Sequence, residues 1–143
     1  MAQKDLCDRL QEVFVLLAFN TGEVLRPFRL NGDQYDTLFI LASDKGRRMG
    51  ELVEKVLSDN SKMTRIIDYL EANGWAVRRA DPSDRRAQLV YITPAGSEQR
   101  RQALAAHEAA LEAWLSALAE GERRQLSDLL GRLRTQLNKL VLP

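Results

Sequence analysis

Residues 58–94 read SDNSKMTRIIDYLEANGWAVRRADPSDRRAQLVYITP, and within them the apolar period changes once, from that of a helix to that of a strand. Ser58-Asp59-Asn60 supplies side chains that accept the free N–H groups of a helix start. Asn73-Gly74 supplies a helix stop, because glycine enters the left-handed region at no steric cost. The spacing predicts a helix over 60–73. Turned by about 100° per residue, Met63, Ile66, Ile67 and Leu70 share one arc and face a core. Ser61, Arg65 and Asp68 fall opposite, flanked by Thr64 on one side and by Lys62 and Tyr69 on the other. After Gly74 the alternation of Trp75 to Arg79 and of Leu89 to Thr93 predicts strands near 75–80 and 87–93. Asp81-Pro82-Ser83-Asp84-Arg85-Arg86 forms the polar turn between them, with both arginines at its tip.

Working outward, a short helix at about 50–57 turns Leu52, Val53 and Val56 inward and meets the 60–73 helix across a tight polar break. That is a helix-turn-helix pattern. Upstream, a helix at about 33–43 begins after Asn31-Gly32-Asp33 and stops at Ser43-Asp44-Lys45-Gly46. A first helix, 5–26, is ended or bent by Pro27; its run VFVLLAF, residues 13–19, is apolar almost all round. Such a helix is buried on more than one side, and in a chain this small another subunit is a natural second partner. Downstream, Thr93-Pro94 opens a helix that runs to about 118, proline being tolerated at the first helical position. Past Gly121, a helix at about 122–140 carries Leu126, Leu129, Leu130, Leu133, Leu137 and Leu140 as a stripe. The fold class is therefore mainly α with a small β-hairpin wing (α+β).

At 143 residues the chain has room for one domain with a real core. Its net charge of +1 argues neither for nor against nucleic acid, so any electrostatic footprint must be local. One cysteine permits no intrachain disulfide, no apolar run is long enough for a membrane span, and the N-terminus lacks the layout of a signal peptide. A cytoplasmic location is expected. A single histidine, a single cysteine, no paired metal-ligand spacing and no glycine-rich phosphate loop leave nothing to build an enzyme from. No cofactor and no metal are expected.

The outward N-terminal turns of the 60–73 helix present two hydroxyls, a lysine and an arginine, the groups that bond phosphates or reach base edges in a major groove. Taken alone, that is equally the solvated face of an amphipathic helix. The hairpin tips the balance. Arginine at the end of a ribbon suits a minor groove, whose narrowing deepens the negative potential. Asp84, two residues before Arg86, is placed to brace the wing through an ion pair.

The stretch from Asp59 to Trp75 resembles the recognition helix of the MarR family of bacterial winged helix-turn-helix regulators. The wing and its exit, Asp81-Pro82-Ser83-Asp84-Arg85-Arg86 through Thr93-Pro94-Ala95-Gly96, resemble the same family, with Ile92 in place of its usual leucine. The resemblance implies a single domain over 5–140, with dimerisation helices at 5–26 and 95–140 and a DNA-binding lobe at about 33–93. It implies base or phosphate contact by Ser61, Thr64 and Arg65, minor-groove insertion by Arg86 and a bracing role for Asp84. Lys62 and Arg85 occupy positions that vary in the family, and phosphate contact there is inferred from their charge. The partners implied are a second copy of the chain and a palindromic operator in double-stranded DNA. The function implied is that of a sequence-specific regulator, usually a repressor.

The family also implies a cleft for a small, often anionic aromatic effector that releases the operator. Phe14, Phe28, Tyr35 and Phe39 are candidates to line it, although aromatics at helical spacing more often form core. His107, alone on an alanine-rich helix, is expected to be exposed. Cys7 is expected to be buried and unreactive, since no tyrosine accompanies it in the first helix. Two alternatives stay open: a winged helix that binds protein instead of DNA, and a regulator that senses oxidants through Cys7.

Overall fold

A computed structural model describes residues 2–42 and 45–141, the side chain of Val141 excepted; Ser43 and Asp44, the first half of the break expected at Ser43-Asp44-Lys45-Gly46, lie outside them. The chain divides into two compact units, Met1–His107 and Glu108–Pro143. The first unit begins with α1 (Gln3–Leu25), which passes through a single 3-10 turn, Arg26–Phe28, where Pro27 stands. Next comes α2 (Gly32–Ile40), started by a capping box in which Asn31 and Gln34 exchange side-chain-to-backbone hydrogen bonds of 2.9 Å. Then follow β1 (Arg47–Arg48), α3 (Met49–Val56), α4 (Asn60–Ala72), β2 (Ala76–Asp81) and β3 (Asp84–Ile92). The strands form an antiparallel sheet in the order β1-β3-β2.

The core of this unit is where the helical arcs converge. Leu38, Leu41, Leu52, Met63, Ile67, Leu70 and Val90 are fully buried, joined by Ile66, Tyr35 and Trp75. All four residues assigned to the inward arc of α4 are among them.

Two helices meet at the turn 57–59. Leu57 closes α3 in the left-handed region, φ 52°, while its side chain is 93% exposed. Asp59 then caps α4 by accepting the Lys62 N–H at 2.7 Å. A leucine in that conformation is strained by about 1 kcal/mol, and the exposed side chain returns little of it. Leu57→Gly is therefore expected to raise stability by roughly 0.5 kcal/mol, less than the strain because glycine also loosens the unfolded chain. The midpoint of urea unfolding should rise; a lower midpoint would mean the leucine makes contacts absent from the single chain.

The chain continues through α5 (Pro94–Leu115) into α6 (Glu120–Val141). Within the second unit, Arg123 ties the two helices through both oxygens of Glu112, each at 3.0 Å. The leucine stripe of α6, from Leu126 to Leu140, is exposed. So is the apolar run of α1, where Phe14 is 70% accessible. No helix among the described residues is long and apolar enough to cross a membrane.

Candidate nucleic-acid interface

The outer face of α4 starts immediately after the Asp59 cap. Ser61, Lys62, Thr64 and Arg65 are all exposed there. The Thr64 hydroxyl donates back to the Asn60 carbonyl at 2.8 Å, leaving its oxygen lone pairs outward. The Lys62 ammonium is engaged, lying 2.6 Å from the Asp33 carboxylate of α2. Both side chains are partly solvated, so the pair is weak and a phosphate would compete with Asp33 for the lysine. Further along, Asp68 and Glu71 hold Arg78 of β2, its guanidinium 2.7 and 3.0 Å from their oxygens. That explains two carboxylates on the outer face of a helix expected to meet DNA: they belong to an internal clamp between α4 and the sheet.

The hairpin is longer and tighter than its composition suggested. Its turn is Pro82-Ser83 alone, and Arg85 and Arg86 lie within β3 instead of at the tip. The end of β3 toward the turn is exposed on both faces, so no apolar alternation marks it, and residues 84–86 read as part of the turn. The brace also differs. Asp84 accepts the Arg86 backbone N–H at 3.0 Å and makes no ion pair among the described residues. The ion pair of the wing is Arg48–Asp81, at 2.7 Å, joining β1 to the end of β2. Asp81 is buried and also accepts the Ser83 N–H and hydroxyl at 2.9 and 2.8 Å. Those Ser83 bonds, with Arg48 adding to them, hold its carboxyl below the usual range. A strand of two residues has no periodicity to read, so neither β1 nor the partnership of Arg48 was legible beforehand.

Arg65, Arg85 and Arg86 are exposed and, among the described residues, have no carboxylate partner. They remain available to an anion, whereas Arg78 does not.

The effector candidates separate. Tyr35 is core, edge-on to Phe39 with ring centroids 4.8 Å apart, and Phe28 and Phe39 pack partly buried against that core. Phe14 stands on the exposed run of α1. His107 is half-buried instead of exposed: its Nδ1 lies 3.2 Å from the Tyr35 hydroxyl, which draws the ring inward. Cys7 is exposed instead of buried, because none of the described residues covers its stretch of α1.

A two-helix unit with a polar outer recognition face, followed by a strand pair carrying unpaired arginines, defines a winged helix-turn-helix. Residues 30–87 match the family model described as MarR family. Residues 30–87 thus carry a MarR-family region, and the chain is similar to transcriptional regulators of the DNA-binding helix-turn-helix type. It is 33% identical over 90 residues to the uncharacterised regulator YdgJ of Bacillus subtilis, a match spanning 63% of this chain and 55% of that one. With the transcriptional repressor MprA of Escherichia coli K12 it shares 29% identity over 137 residues, 94% of this chain and 76% of the repressor. The fold superposes on CouR of Rhodococcus jostii RHA1, solved bound to p-coumaroyl-CoA, with a TM-score of 0.78. That match is 24% identical and covers 97% and 93% of the two chains.

Proposed function

We propose that the chain acts as a homodimeric repressor of a palindromic operator, released by a small molecule. In this reading the lobe at about 33–93 binds DNA and the helices at 5–26 and 95–140 dimerise. Ser61, Thr64 and Arg65 enter the major groove, Arg86 the minor groove, and Lys62 and Arg85 rest on phosphates, with Asp84 holding the Arg86 backbone. The observation that carries it is the row of solvent-facing hydroxyls and unpartnered guanidiniums on α4 and β3, set on a core that takes up Met63, Ile66, Ile67 and Leu70 of α4. Two-fold symmetry would place two recognition helices roughly 34–36 Å apart, one turn of duplex. The repressor role of MprA supports repression, and the bound p-coumaroyl-CoA of CouR supports an effector with an aromatic, anionic character. No observation favours a protein-binding winged helix or a Cys7 sensor.

Binding to a palindromic duplex from the gene's own promoter region, followed by fluorescence anisotropy, is the test. Affinity should fall steeply as salt rises, since each neutralised phosphate releases counterions. Arg65→Ala is expected to cost on the order of 1–3 kcal/mol and relax preference among operator variants; Arg86→Ala should weaken binding with the dimer intact. Binding indifferent to salt, or variants that bind as the native chain does, would refute the reading.

A further inference from the structure

β1 pairs with β3 only at Val90 and Leu89, so residues 84–88 have no strand on that flank. A groove of about 540 Å³ opens there, lined by Arg48, Met49 and Gly50 on one side and by residues 85–88 on the other. Arg48, Arg85 and Arg86 are among its lining residues, and no Asp or Glu is. The one acid in the first turn of α3, Glu51, is taken up by Arg47 at 3.2 Å. Arg48 also stands at the cap position of α3, where its side chain accepts nothing, so the first N–H groups of that helix have no side-chain cap.

We propose that this groove is a phosphate site of the DNA-binding surface, in which Arg48 joins Arg85 in holding one backbone phosphodiester beside the wing. The inference rests on the reading of the chain as a DNA-binding repressor. Among the described residues Arg85 has no carboxylate partner and Arg48 has only Asp81, so an anion entering the groove meets positive charge that the fold does not fully neutralise. Arg48 is suited to the task because it is already oriented. Its Nη2 bonds Asp81 while half of its side chain stays in solvent, which fixes the planar fork and leaves the other N–H donors for a second acceptor. In a chain of net charge +1, this concentration of cations is local and supplies the field that the whole molecule lacks.

The test uses the full chain and the promoter duplex, with affinity measured across a series of KCl concentrations. Arg48→Gln keeps a donor for Asp81 but removes the charge. The slope of log K against log salt should become shallower by about 0.9 for each protomer, the value for one phosphate contact. Arg48→Lys should restore the slope. Asp81→Asn, which leaves the Arg48 charge in place, should keep the native slope whatever it does to affinity. An unchanged slope in Arg48→Gln, with or without weaker binding, would overturn the proposal and leave Arg48 as a prop for Asp81. A native chain with no salt-dependent binding would defeat the repressor reading itself, a different result from a steep native slope that Arg48→Gln shares.

Discussion

Gly96→Ala is expected to destabilise the chain by on the order of 3 kcal/mol. A Cβ at position 96 would lie 2.0 Å from the Trp75 carbonyl oxygen and 2.9 Å from Ile92 Cγ1. The first of these is a backbone atom and has nowhere to go. The Trp75 carbonyl accepts the Thr93 N–H at 3.1 Å, and the Trp75 N–H donates to Leu70 at 2.9 Å, so moving it pulls on both β3 and the end of α4. Thr93 is committed as well: its hydroxyl donates to the Gly74 carbonyl at 2.6 Å and accepts the Gly96 N–H at 3.0 Å, capping α5. The exit of the recognition helix, the start of the wing and the start of α5 thus share one contact. Overpacking costs about 1–3 kcal/mol and a lost cap about 1 more. Urea unfolding measures the sum, with Gly121→Ala as the control, since a Cβ there meets nothing within 4 Å. Equal midpoints for the two variants would show that the close approach is absent.

That junction also explains why the Thr93…Gly96 spacing carried so much of the resemblance. Its residues are selected by contacts that the motif itself creates, so they are legible in one dimension. The inward arc of α4, the Asp59 cap and the Gly74 stop, at φ 75°, are legible for the same reason: each is set by neighbours within one or two helical turns. What stayed hidden depends on partners distant in sequence. Arg48 finds Asp81 across 33 positions, Lys62 finds Asp33 from another helix, and His107 finds Tyr35 across 72. No periodicity encodes these pairings, and charge alone suggested the wrong one for Asp84. The solvent-facing residues of α4 were legible as a set because a helix face follows from geometry. Their individual availability was not, since it depends on which cations the fold neutralises. Arg78, equal in charge to Arg86, is consumed by Asp68 and Glu71.

The second large effect concerns assembly. Leu133→Glu is expected to convert the proposed dimer to monomer and to weaken binding to the full palindrome by about 100-fold or more. Leu126, Leu129, Leu130, Leu133 and Leu137 are each 40–51% accessible along α6, and the run 13–19 of α1 is as open. Monomeric proteins seldom leave contiguous apolar surface of that extent in water. Completing the burial of each leucine is worth about 1 kcal/mol at the usual area coefficient, and two-fold symmetry counts every residue twice. A glutamate at 133 therefore removes two apolar contacts and places two carboxylates in an apolar interface, where neither has a partner. Once the copies separate, the second half-site no longer benefits from the high effective concentration that the linkage provides, a gain of roughly 10²–10⁴. Sedimentation reads the assembly and anisotropy the affinity, on full and half-site duplexes in parallel. Half-site binding should survive, because α4 and the wing belong to the other compact unit, and that separates lost assembly from a damaged recognition surface. A Leu133→Glu chain that stays dimeric and holds the full palindrome as the native chain does would remove the α6 stripe from the interface.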